Sequence, residues 1–142
     1  MKCHHTALSV RDIELMSAFY CNGLGFKGLS SFGWPKGNAV ADELLALDGT
    51  ASKVKMLVSG DMHLELFEFS SPEQPHEADT KQPHHYGITH TAYMVDDIHK
   101  TCAVLKKLGA TFNSDPVNTG KWMAVYGRDP EGNIFELLQG FE

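Results

Sequence analysis

The sequence predicts an α+β fold built from two copies of a βαβββ module. Three observations support this prediction: a segment near the N-terminus recurs in the second half, each half passes from a strand pattern to a helical one, and a polar, proline-rich segment separates the halves. The 142 residues, 42% of them hydrophobic, suit a single domain spanning residues 1–142. We place its modules at about 1–70 and 87–142, joined by a linker at about 70–86.

The repeat is clearest where each half begins. Residues 5–13 read HTALSVRDI and residues 90–98 read HTAYMVDDI, so six of nine positions agree. Two further pairs of segments match in the same order: 24–25 with 108–109, and 64–66 with 135–137. Duplication of one module is the simplest explanation.

Each half begins with a strand followed by a helix. Apolar and β-branched residues alternate over residues 3–10 and 88–95, which predicts strands. Asp12 and Asp97 fit the N-cap position, where a side-chain oxygen accepts hydrogen bonds from free amides of the first helical turn. Glycine often follows a helix because it adopts the left-handed conformation freely. The predicted helices end in this way at Gly25 and Gly109.

Three further strands are predicted in each module. The candidates are residues 26–32, 53–59 and 62–69 in the first module and residues 111–118, 121–127 and 133–139 in the second. Residues 37–49 interrupt the first module with a short helix or loop that has no equivalent in the second.

The charge pattern excludes several classes of protein. The 18 acidic and 12 basic residues are scattered, so neither nucleic acid nor an anionic membrane surface is an expected partner. No apolar run approaches the roughly 18 residues of a membrane span. The three cysteines form no CxxC pair, which disfavours a disulfide framework and a thiolate zinc site. We therefore expect a cytoplasmic protein that handles a small-molecule substrate.

The duplication repeats a histidine and a glutamate at corresponding places. Because side chains alternate along a strand, His5 and Glu65 fall on faces lined mainly by small or apolar residues. The same holds for His90 and Glu136, and a charged glutamate in such a place needs a partner. Two equivalent modules related by a pseudo-twofold axis would bring both pairs to one centre. Such nitrogen and oxygen donors suit one divalent Ni, Zn, Co, Mn or Fe ion rather than Ca or Mg.

Other candidates have weaker support, since a single histidine in a strand is more often a hydrogen-bonded structural residue than a ligand. His63 shares the face of Glu65, but Ile134 at the matching place cannot coordinate a metal. Glu68 lies on the opposite face and is matched by Gln139, so we interpret it as solvated or ion-paired. Four further histidines lie off this face or in the polar linker: His4, His76, His84 and His85.

Two motifs are informative together: H-x-A-x-x-V-x-D at the start of each half and DPEGNIFEL at residues 129–137. Both resemble motifs of the glyoxalase/bleomycin-resistance/dioxygenase superfamily, whose members are also called vicinal-oxygen-chelate proteins. The resemblance covers nearly the whole chain. It implies paired βαβββ modules forming a curved open barrel around one metal, a homodimer, and metal ligands at His5, Glu65, His90 and Glu136.

The ligand set is similar to that of glyoxalase I. This likeness implies a metal-dependent lyase or isomerase that acts on vicinal oxygens through an enediolate-like intermediate, with Glu65 or Glu136 as the catalytic base. Bacterial glyoxalase I typically has an arginine four residues after the first histidine and an asparagine four residues after the first glutamate, both for glutathione. Here those positions hold Ser9 and Phe69, so a less charged substrate is expected.

Three alternatives stay open at this point. An extradiol-type iron dioxygenase uses two histidines and one carboxylate as iron ligands. The chain has one carboxylate more than this triad needs. An acyl-CoA epimerase of this superfamily often has glutamine in place of Glu65. A metal-free, drug-binding resistance protein generally lacks these ligands.

Overall fold

The computed structural model describes residues 1–75 and 81–141 of the chain. The chain divides into two units, one formed by residues 1–75 and the other by the described residues from 81 onwards. The division falls inside the predicted linker, of which residues 76–80, with His76, lie outside the described residues. Within the described residues, no helix has both the length and the apolar character needed to cross a membrane.

The first unit contains a four-stranded mixed sheet and two helices. Its elements are β1 Thr6–Ser9, α1 Ile13–Leu24, β2 Lys27–Trp34, α2 Ala39–Leu45, β3 Ala51–Ser59 and β4 Met62–Ser71. The strand order is β1-β4-β3-β2, with β1 parallel to β4 and the other neighbours antiparallel. The predicted interruption at 37–49 is confirmed as a short helix, α2.

The second unit repeats this order around one helix. Its elements are β5 Thr91–Met94, α3 Ile98–Lys107, β6 Thr111–Phe112, β7 Val117–Asn118, β8 Trp122–Arg128 and β9 Ile134–Gly140. The sheet order is β5-β9-β8-β6, and β7 also pairs with β8. The predicted single strand at 111–118 is wrong. It is divided into two short strands because residues 113–116 bulge out between them: four residues here stand opposite only two of β8, and Pro116 among them has no amide hydrogen to donate to a neighbouring strand.

The caps of α1 and α3 confirm the predicted helix boundaries. Asp12 accepts hydrogen bonds from the amides of Glu14 and Leu15, and Asp97 accepts one from Lys100. Gly25 follows α1 with a φ of 72°, in the left-handed region that favours glycine. α3 ends at Lys107, and Gly109, with a φ of 100°, follows its C-cap residue.

A side chain from the sheet also caps each of these helices. In the first unit, Glu68 Oε2 accepts a hydrogen bond from the Ile13 amide at 2.9 Å, and its Oε1 lies 2.8 Å from Lys53 Nζ. In the second unit, Gln139 Oε1 accepts from the Ile98 amide at 2.8 Å. The interpretation of Glu68 as ion-paired is confirmed, and its capping role is a finding of the structure.

The helices α1 and α3 each cover one face of the sheet in their unit. α1 packs on β3 and β4, where Leu64 and Leu66 are fully buried, and α3 packs on β9, where Phe135 and Leu137 are fully buried. Burial of each such side chain contributes about 1.5–3 kcal/mol to folding. Because neighbouring residues on a strand point to opposite faces, Glu65 and Glu136 point away from the helices. The α+β fold class is confirmed, whereas the organisation of the units into a single domain stays a prediction.

Candidate metal centre

The first histidine and glutamate meet beside the parallel pair of β1 and β4. The register places Ala7 opposite Glu65, and His5 lies two residues before Ala7. His5 Nε2 is 3.1 Å from Glu65 Oε2, and the two side chains are 36% and 10% exposed. The predicted strand 3–10 is too long, because β1 begins at Thr6, one residue after His5. The histidine is therefore reachable from solvent while the carboxylate is almost enclosed.

The second pair has the same construction. β5 and β9 place Ala92 opposite Glu136, and His90 lies two residues before Ala92. His90 Nε2 is 3.5 Å from Glu136 Oε2, with the side chains 29% and 17% exposed. As in the first unit, the strand begins one residue after the histidine, at Thr91, so the predicted strand 88–95 is also too long.

Tyr126 is a polar neighbour of the second pair that the sequence reasoning did not identify. It lies directly opposite Glu136 in the pairing of β8 with β9, and its hydroxyl is 3.4 Å from His90 Nε2. Burial, then the negative charge of Glu136 and a hydrogen bond to it, raise the pKa of Tyr126. In the first unit the corresponding place opposite Glu65 is occupied by Met56, which offers no hydroxyl.

The turn between β8 and β9 fixes this register. Asp129 is buried, and its Oδ1 accepts hydrogen bonds from the amides of Glu131 and Asn133 at 3.0 and 2.9 Å. Gly132 has a φ of 89°, which a residue with a side chain rarely adopts. The turn pairs Arg128 with Ile134, so Tyr126 falls opposite Glu136. A hairpin register inferred from this turn could have identified Tyr126 in the sequence.

Aromatic residues lie further along the strand that carries the first glutamate. Phe67 and Phe69 follow Glu65 at alternate positions of β4, and their rings stack with centroids 5.5 Å apart. The Trp34 ring meets both edge-on, with centroids 6.3 Å away in each case. Trp34 Nε1 donates to Thr50 Oγ1 at 3.0 Å. We call Trp34, Phe67 and Phe69 the aromatic cluster of the first unit.

The insertion in the first module is connected to this cluster by hydrogen bonds. Thr50 Oγ1 donates to Asp42 Oδ1 at 2.5 Å, and the Thr50 amide donates to the same oxygen at 2.8 Å. These bonds lower the pKa of Asp42, which lies on α2. α2 is therefore linked through Asp42 and Thr50 to Trp34. Because the second module has no such insertion and has Gly140 where the first has Phe69, its strand β9 carries no equivalent cluster.

Each pair has the spacing of two ligands on one ion. A divalent ion such as zinc binds imidazole nitrogen and carboxylate oxygen at about 2.0–2.2 Å, so neighbouring ligand atoms lie about 2.8–3.6 Å apart, from octahedral to tetrahedral angles. The observed separations of 3.1 and 3.5 Å match this range. Among residues 1–75 and 81–141, no group of three or more His, Cys, Asp or Glu side chains is arranged to hold a metal. The structure therefore brings the predicted ligands together as two pairs.

Comparison with known proteins identifies the family. The sequence pattern of the Glyoxalase/Bleomycin resistance protein/Dioxygenase superfamily matches residues 2–137. The chain belongs to this superfamily. It is 29% identical over 144 residues to a lactoylglutathione lyase of Neisseria meningitidis, with 98% of this chain and 91% of that one covered.

Two solved structures show that the fold is shared. A glyoxalase family protein from Bacillus cereus matches with a TM-score of 0.90 and 18% identity, over 100% of this chain and 95% of that one. A variant of the fosfomycin resistance protein FosX from Listeria monocytogenes, complexed with Mn(II) and 1S,2S-dihydroxypropylphosphonic acid, matches with a TM-score of 0.65 and 17% identity. That match covers 99% of this chain and 90% of the FosX chain.

Proposed function

We propose that the protein is a metal-dependent lyase or isomerase of the glyoxalase I type. In this proposal His5, Glu65, His90 and Glu136 bind one divalent ion, with Ni, Zn, Co, Mn and Fe as the candidates. The substrate is a small molecule with vicinal oxygens, which reacts through an enediolate-like intermediate. The observation that carries the proposal is the repeated pairing of a histidine Nε2 with a glutamate Oε2 at 3.1 and 3.5 Å.

The chemistry follows from the surroundings of these residues. When bound, the ion supplies a Lewis acid that stabilises negative charge on the substrate oxygens. Glu65 or Glu136 takes a proton from the carbon beside a carbonyl, and the same carboxyl group returns it to the neighbouring carbon. Both carboxylates are largely shielded from water, which favours proton transfer to and from the substrate rather than solvent.

The superfamily and the lactoylglutathione lyase among the relatives support this reaction class. The aromatic cluster beside Glu65 supports an apolar group on the substrate, because Phe69 stands where glyoxalase I typically has a polar contact to glutathione. We therefore propose that glutathione is not required. The homodimer and the cytoplasmic location stay predictions.

The experiment tests metal and turnover together. The protein is purified without a histidine tag, loaded with each candidate metal and assayed in deuterium oxide with hemithioacetals, acyl-CoA thioesters and catechols. We expect metal-dependent conversion in which most of the product keeps the substrate's own proton, because both carboxylates are shielded, and only a minor fraction takes up solvent deuterium at the reacting carbon. Glu136→Gln should lose bound metal, and its turnover should fall at least about 100-fold. Mutation of a residue that only supports a metal ligand already lowers metal affinity or activity about 10–100-fold in many enzymes.

Glu43→Gln is the matched control, because Glu43 is an exposed glutamate on α2. Unchanged metal content and turnover in Glu136→Gln would refute the proposed centre. Oxygen consumption with a catechol, and no conversion of a hemithioacetal or an acyl-CoA thioester, would favour the iron dioxygenase. Tight binding of a bulky ligand by metal-free protein would favour the drug-binding resistance protein.

A further inference from the structure

Each proposed ligand histidine contacts the side chain that immediately precedes it. His5 Nδ1 lies 2.7 Å from His4 Nδ1, and His90 Nδ1 lies 2.7 Å from Thr89 Oγ1. The other ring nitrogen, Nε2, faces the glutamate in both units. The two modules thus assign the same roles to the two nitrogens, although the preceding residues differ.

This arrangement matters because a neutral imidazole carries one proton on its two nitrogens. A nitrogen that binds a metal must be bare, so the proton has to lie on Nδ1 and needs an acceptor there. The Thr89 hydroxyl oxygen can accept from His90, and His4 Nδ1 can accept from His5 when the proton of His4 lies on its own Nε2. Without such acceptors, the carboxylate facing Nε2 would attract the proton to that nitrogen.

His4 is itself held in place. Its ring stacks on His63, with centroids 5.8 Å apart and planes 16° apart, and it meets the His5 ring edge-on at 5.0 Å. His63 thus contacts the neighbour of the proposed ligand. This contact explains why His63 lies on the face of Glu65, so no role in metal binding is needed to account for its position.

We propose that His4 and Thr89 are positioning residues that hold His5 and His90 in the Nδ1–H tautomer and leave both Nε2 atoms free for the metal. This inference rests on the proposed metal centre. It adds that the tautomer is set in each module by the residue directly before the ligand, through a histidine in one and a threonine in the other.

The test uses the full chain loaded with Co²⁺. Proton NMR of a Co²⁺ protein shows a strongly shifted, exchangeable signal for each coordinated histidine that keeps a proton on its second nitrogen. We expect two such signals in the unaltered protein, both lost in deuterium oxide. Thr89→Val should accelerate solvent exchange of one signal and weaken Co²⁺ binding about 10–100-fold in a chelator competition.

Thr89→Ser should restore both properties, because serine keeps the hydroxyl. Thr91→Val is the matched control: it removes a hydroxyl two residues away whose partner is Tyr93. For the first unit, His4→Ala should accelerate solvent exchange of the other signal. His4→Asn retains an acceptor oxygen and should partly restore the slower exchange. His4 is exposed, so these variants should leave folding intact.

The outcomes separate the two proposals. If Co²⁺ binds normally and neither Thr89→Val nor His4→Ala changes its signal or the affinity, the positioning roles are wrong while the metal centre stands. If the unaltered protein gives no shifted histidine signals, the metal centre is wrong and the positioning roles fail with it.

Discussion

The two modules place the same pair of side chains in different surroundings. Glu65 lies opposite Met56 and beside the aromatic cluster, whereas Glu136 lies opposite Tyr126, whose hydroxyl also approaches His90. The histidine and glutamate are common to both modules, while their neighbours are not. This difference indicates that duplication supplies the proposed metal ligands and that later divergence gives each carboxylate its own surroundings.

The largest expected effect concerns the polar neighbour of the second pair. Tyr126→Phe removes a hydrogen bond to a charged carboxylate, an interaction worth about 1.5–3 kcal/mol. We expect kcat to fall about 10–100-fold while bound metal stays constant. Steady-state kinetics together with metal analysis would measure both quantities.

Met56→Leu is the control in the first unit, because it alters the corresponding position without removing a hydrogen bond. It should leave kcat nearly unchanged. Equal losses in the two variants would show that packing around the carboxylates, and not the Tyr126 hydroxyl, distinguishes the modules.

A smaller effect is expected from the aromatic cluster. With methylglyoxal, the hemithioacetals of glutathione and of 2-mercaptoethanol should have kcat/KM values within about threefold of each other, a difference of only ~0.6 kcal/mol. Phe69→Asn introduces a polar side chain and should raise the preference for glutathione by up to about tenfold. A preference of about 100-fold or more in the unaltered protein would contradict the proposed independence from glutathione.

The smallest effect concerns the two side chains that cap the helices from the sheet. Glu68→Gln gives the first unit the chemistry of Gln139, keeping an acceptor for the Ile13 amide and losing the charge that meets Lys53. We expect a loss of less than about 1 kcal/mol in the free energy of unfolding. Glu68→Ala removes the acceptor and should cost about 1–2 kcal/mol. Urea unfolding would measure both.

The pH dependence gives this prediction a definite sign. The Ile13 amide, and then Lys53, hold the pKa of Glu68 below its ordinary value of 4.5. Folding therefore favours the charged form, so its contribution is complete above pH 4.5 and is lost as the pH falls through the lowered pKa. The difference between the unaltered protein and Glu68→Gln should shrink in acid. A difference that grows in acid would contradict this account.

Much of the fold could be predicted because local chemistry determines it. Asp12 and Asp97 identified the helix starts, and the repeated segments identified the modules. The division of 111–118 into two strands depends on residues 113–116, Asn-Ser-Asp-Pro, whose residue types are typical of turns and which leave the pairing with β8. Strand limits were also overestimated at His5 and His90, since alternation alone does not show where pairing begins.

The candidate site was predicted less completely. The duplication indicated the pairs formed by His5 with Glu65 and by His90 with Glu136, and the structure places each pair within about one ligand spacing. Tyr126 was missed because it becomes a neighbour of Glu136 only through the register of a hairpin. The contacts of the Nδ1 atoms depend on side-chain rotamers, which the sequence does not specify.

The number of ions bound per chain tests the central claim most directly. Protein loaded with Zn²⁺ or Co²⁺ and freed of excess metal is analysed for metal and protein together, alongside Glu65→Gln and Glu136→Gln. Because both pairs are proposed to bind the same ion, we expect one ion per chain in the unaltered protein and loss of that ion in either variant. Two ions per chain, with each variant losing one, would show that the pairs bind separately, and no ion at all would show that they are hydrogen-bonded pairs without a metal.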